Sequence, residues 1–110
     1  MRKIKLYNWD IEIIEDSIEK INKVMGKDKK DRINYIGAYD YVSSKVYVYK
    51  KLECQIKKKT LIHELSHAII ALFGYKINFN EENICDFMGA HLDVIHNIVE
   101  EYFNENNQQQ

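Results

Sequence analysis

The segment TLIHELSHAII, residues 60–70, constrains this chain more than any other. Leu61, Leu65, Ala68 and Leu72 recur at three- and four-residue spacing, and Gly74 stands where a left-handed helix cap belongs. The spacing predicts a helix from about Glu53 to Phe73 with one apolar stripe. Side chains four residues apart on a helix lie on one face, a single turn apart. A helical frame therefore brings His63 and His67 together.

Two imidazoles at that spacing can share one cation, and for neutral ring nitrogens the default ion is zinc, Zn2+. Glu64 lies too far round the helix to chelate beside them. It can reach a water on the open coordination position, which is the placement of a general base. Leu61, Ile62, Leu65, Ala68, Ile69 and Ile70 surround the pair in sequence, so part of this helix is expected to be buried, and polar groups against such surroundings need a partner. A surface coincidence is the bland alternative, and the complete His-Glu-x-x-His pattern argues against it.

A catalytic zinc site takes three protein ligands and keeps one position open. Glu81, Glu82, Asp86, His91 and His96 lie downstream, on a helix expected from about Glu81 to Phe103 with Ile84, Met88, Leu92, Ile95, Val99 and Tyr102 as its buried face. Glu82 and Asp86 share a face. His91 points about 180° away from Glu82, and His96 lies about 21 Å further along the axis. His63, His67 and Glu82 are thus the preferred ligands, with Glu81 the alternative if the helix boundary shifts by one. Asp86 would accept the remaining ring N–H of one histidine and fix its orientation. Paired glutamates in a first helical turn also have an ordinary origin in the helix dipole. Cys54 and Cys85 read as small buried apolar residues rather than thiolate ligands, and two cysteines make no disulfide framework.

The remaining chain fits one α+β domain spanning residues 1–110. Ile11, Ile14, Ile18, Ile21 and Met25 predict an N-terminal amphipathic helix over about 10–25, capped by Asn8 or Asp10 and closed by Gly26. KIKLY (3–7) is a short strand or the approach to that helix, and 27–31 is a charged loop. Residues 32–52, rich in Tyr and Val, predict a β-hairpin turning near Ser43–Ser44, with Val46 and Val48 on one side and Tyr47 and Tyr49 on the other. Gly37 marks a bulge or a close backbone approach. The polar tail 104–110 is expected to be disordered. With 16 basic against 17 acidic residues the chain offers no basic field for nucleic acid or an anionic membrane. No segment reaches the ~18 apolar residues of a membrane span, and the N-terminus lacks signal-peptide features, so a cytoplasmic location is expected.

GAYDY, VYVY, TLIHELSHAI and NEENICDFMGAHL together resemble the ImmA/IrrE-type metallopeptidases of the gluzincin kind, in the short stand-alone form of phages and mobile elements. The likeness covers about residues 33–100. It implies a minimal zincin-like domain with a small antiparallel sheet, an active-site helix and a C-terminal ligand helix in which Glu82 completes the zinc site. It also implies a regulatory hydrolase whose substrate is a protein such as a separately encoded repressor. Cys85 replaces the alanine usual in the family segment, Phe87–Met88 follows Asp86, and the chain has no proline.

Two functions follow. In the first, a zinc endopeptidase, Glu64 moves the proton between water and leaving amine while Tyr39, Tyr41 or Tyr75 donates to the carbonyl oxygen. The hairpin edge would hold the substrate as an added strand. In the second, a zinc-stabilised module regulates a host or phage protein by contact alone. Glu64 beside both histidines favours chemistry, since a contact module has no use for the base.

Overall fold

The computed structural model describes residues 2–26, 35–76 and 80–108, with the side chains of the last helix described as far as residue 104. The element order is β1 (Arg2–Leu6), β2 (Trp9–Asp16), α1 (Ile18–Val24), β3 (Gly37–Asp40), β4 (Lys45–Tyr49), α2 (Cys54–Phe73) and α3 (Glu81–Gln108). The expected loop at 27–31 and residues 77–79 of the link into α3 lie outside the described residues, as do residues 109–110 of the tail.

The helix expected over 10–25 is two elements. Residues 9–16 form strand β2, and only Ile18–Val24 is helical, capped by Ser17, whose hydroxyl accepts from Lys20 N at 3.2 Å. The isoleucines satisfy both periods: 11, 14, 18 and 21 fit a helix, while Ile11 and Ile13 alternate, and both are about 1 % exposed. Pairing decides the matter. β1 folds back on β2 with Ile4 opposite Ile11, and β4 runs parallel along the other edge of β2 with Val46 beside Ile13. β-branched side chains gain on a pleated surface what they lose in a helix. Gly26 does close α1, at φ 72°.

The sheet order is β1-β2-β4-β3, mixed rather than antiparallel, with β3 at its edge. The hairpin over 37–49 appears as read, with a left-handed Ser44 in the turn. Its alternation sorts the two faces: Val46 and Val48 join Leu6, Ile11, Ile13, Leu61 and Leu65 on one side. Tyr47 packs with Ile21 and Ala38 on the other. The domain is therefore three layers, with α1 on one face of the sheet, α2 on the other, and α3 against α2 and β1. Glu15 of β2 ties the larger layer together, accepting from Lys57 of α2 and from the Tyr102 hydroxyl of α3.

α2 follows the sequence reading closely. Glu53 caps it, Gly74 ends it at φ 68°, and Leu61, Leu65 and Ala68 are fully buried. α3 departs from it. Ile95, Val99 and Tyr102 are buried as expected, but Ile84, Met88 and Leu92 are 44–52 % exposed. Over its first half α3 turns Asn83, Phe87 and His91 towards the body instead. Cys54 and Cys85, expected inside, are both exposed. No helix among the described residues is long and apolar enough to cross a membrane.

Candidate metal centre

α2 carries His63, Glu64 and His67 through its middle two turns, and their ligand atoms lie within 4.8 Å of one another. The two Nε2 atoms are 3.1 Å apart. Two nitrogens bound tetrahedrally to one zinc at ~2.0–2.1 Å stand about 3.3 Å from each other. The imidazole pair thus already has nearly the spacing the ion requires. Both imidazoles are exposed: Leu61, Leu65, Ala68 and Ile69 are buried towards the core, Ile62 is itself exposed, and Ile70 borders the same cavity as the pair. Burial and the neighbouring His63 hold the His67 ring below the ordinary histidine range, favouring the neutral form that binds metal.

Glu64 lies beside the pair but deeper, under strand β3, and is 7 % exposed. A Cβ on Gly37 would stand 2.6 Å from Thr60 Cγ2 and 3.0 Å from Glu64 Oε2. That is the close backbone approach the glycine signals: only its missing side chain lets β3 lie over the carboxylate. Burial pushes the Glu64 carboxyl up to about 7. A carboxyl poised there can both accept and return a proton near neutral pH.

The three residues border a cavity of about 420 Å³, whose further wall includes Gly37, Tyr39 and Tyr41 of the hairpin. Met25, Tyr35, Ile70 and Ala71 complete it. The Tyr39 hydroxyl is buried, and burial raises its pKa more than a nearby Ser44 lowers it, so it keeps its proton. Tyr41 is 74 % exposed at the rim. Of the three tyrosines singled out in the sequence, the hairpin pair reaches the site and Tyr75 does not. The Tyr75 hydroxyl lies 2.8 Å from His91 Nε2.

The acids of α3 also stand apart. Among the described residues the metal-ligating group comprises His63, Glu64 and His67, without Glu82 or Glu81, which are exposed at the start of α3. Asp86 borders a separate cavity of about 330 Å³ with Tyr75, Lys76 and Phe87, so it does not back either histidine. The sequence reading also missed the role of His91. It is 3 % exposed, with the Tyr7 hydroxyl on Nδ1, the Tyr75 hydroxyl on Nε2, and the rings of Phe73 and Phe87 at 5.2 and 5.0 Å. Its one sequence signal was direction, opposite to Glu82 on the helix. Comparison with protein-family models, curated proteins and solved structures gives no match for this chain.

Proposed function

We propose that this protein is a zinc-dependent endopeptidase that cleaves a regulatory protein in the cytoplasm, such as a repressor encoded by a phage or mobile element. The observation that carries the reading is the convergence of His63 and His67 Nε2, 3.1 Å apart, beside a buried Glu64 in one groove. The residues fit the ion: two imidazoles at nearly tetrahedral spacing, with a carboxylate within 4.8 Å. Zinc bound there would supply an activated water at neutral pH.

The chain's own groups account for the rest. Glu64 takes the proton from water in the groove and returns it to the leaving amine, a double duty suited to a carboxyl near 7. Tyr39, kept protonated by burial at the cavity wall, donates to the developing carbonyl oxyanion. β3 is the edge strand of the sheet among the described residues, beside the cavity, and its outer edge can pair with an extended substrate. His63 and His67 would hold the metal, and Glu82, or Glu81, which stands outside the converging group, would complete the ligand set only if the start of α3 moved towards α2. The domain so assembled is a minimal relative of the zincins.

The test is Glu64→Gln. It keeps both histidines, so zinc binding by equilibrium dialysis should remain within about threefold, while cleavage falls by about 10²–10⁴. New protein N-termini found in cells expressing wild type and missing with Glu64→Gln would identify the substrate. Unchanged biological activity in that variant, with zinc retained, would replace the hydrolytic reading with regulation by contact.

A further inference from the structure

The chain's charges are separated along its length. All 16 lysines and arginines fall within the first 76 residues, and the last 34 carry seven acids, two histidines and no lysine or arginine. Those acids sit mostly on α3, the same helix whose apolar stripe leaves the core. Ile95, Val99 and Tyr102 of the stripe are buried, while its continuation through Ile84, Met88 and Leu92 is about half exposed, with no described element over it. The uncovered part runs about 12 Å along the helix, or roughly two turns.

Glu82, Asp86 and Asp93 fall within about 40° of one another on the helix and are all exposed. Cys85 and Gly89 lie between this acidic row and the apolar one, and a Cβ at Gly89 would meet nothing within 4 Å. Small residues there leave a shallow floor with an apolar wall on one side and carboxylates on the other. Apolar side chains that are uncovered and rimmed by charge mark contact surfaces, and methionine suits a face that adapts to its occupant.

We infer that this face of α3 docks a cationic amphipathic helix, with Leu or Ile at i, i+4 and i+7 on the stripe and Lys or Arg against the acids. Charge selects that occupant. A second copy of α3 would set carboxylates against carboxylates, and nucleic acid or an anionic bilayer would meet the same repulsion. A basic helix gains on both counts, as in helix-in-groove recognition generally. The surface needs no metal, so it stands whether or not the chain is a peptidase.

The experiment uses the full chain in EDTA and a fluorescein-labelled Leu/Lys peptide patterned as an amphipathic helix about five turns long. Controls are the same pattern with Glu for Lys and a scrambled Leu/Lys peptide. Fluorescence anisotropy should give a Kd in the micromolar range that weakens with added salt. Met88→Ser with Leu92→Ser, and separately Asp86→Lys with Asp93→Lys, should each weaken it at least about tenfold. Equal binding of either control, or no effect of both double variants, overturns the inference. So does a dimer in sedimentation that Met88→Ser with Leu92→Ser dissociates, because a second copy would then be the occupant.

Discussion

His63 and His67 sit a turn apart on the outer face of α2, their Nε2 atoms 3.1 Å from each other. His91 is buried, and each of its ring nitrogens already has a phenol. Among the described residues the ring nitrogens of the first pair bond to each other, and a cation bound there would replace that shared proton. His91 has no lone pair to spare, because Tyr7 and Tyr75 occupy both edges while Phe73 and Phe87 enclose the ring. It binds the β1–β2 turn, the residue after the α2 cap and α3 into one cluster. Tyr7 holds φ 57° in that turn, an uncommon backbone for a bulky residue, and its hydroxyl bond to His91 helps offset the strain. Histidines of one chain thus divide by what their nitrogens face, not by their neighbours in sequence.

The sharpest way to break this division is to measure zinc affinity in single variants. His63→Ala or His67→Ala should weaken binding by more than about 100-fold, since removing a direct ligand costs more than removing the group behind one. His91→Ala, still folded at low temperature, should bind zinc within about threefold of wild type. Comparable losses in all three would mean that the buried ring serves the metal after all. Next in size is stability measured by urea unfolding in EDTA. His91→Ala leaves a cavity and removes the bonds of two part-exposed phenols, so it should cost about 2–4 kcal/mol. His63→Ala changes an exposed side chain and should stay within about 0.5 kcal/mol.

The same contrast explains what could be read in the sequence. The site core lies on one helix, so spacing alone placed His63, Glu64 and His67, and Gly74 marked where that helix ends. Tyr39 and Tyr75 look alike in sequence, yet only Tyr39 reaches the groove, because β3 packs over α2 while Tyr75 turns towards His91. Ile84, Met88 and Leu92 were expected inside for a related reason. Periodicity tells which side of a helix is apolar, but not whether another element is there to cover it. In β2 the isoleucines fit both periods, and the partners Ile4 and Val46, distant in sequence, chose the strand. Local chemistry was legible where one element contains it, and illegible where two elements must meet.

The smallest effect separates the two environments by pH. Glu64 lies under β3 with no charged partner among the described residues, and burial raises its carboxyl from 4.5 to about 7. Between those values the folded chain holds a proton that the unfolded chain has released, so rising pH draws the equilibrium towards unfolding. Stability from this group is therefore complete below about pH 4.5 and is lost as pH rises through 7, by about 2–3 kcal/mol in metal-free protein. His67 acts in the opposite sense. Its pKa is lowered, so the unfolded chain binds more protons as pH falls through the ordinary histidine range, and stability falls on that side. Subtracting the Glu64→Gln profile from that of wild type leaves His67 in both and isolates the carboxyl. The difference should decline steadily from pH 4 to pH 8. A flat difference would mean that water reaches Glu64 freely and that the close approach of Gly37 does not exclude it.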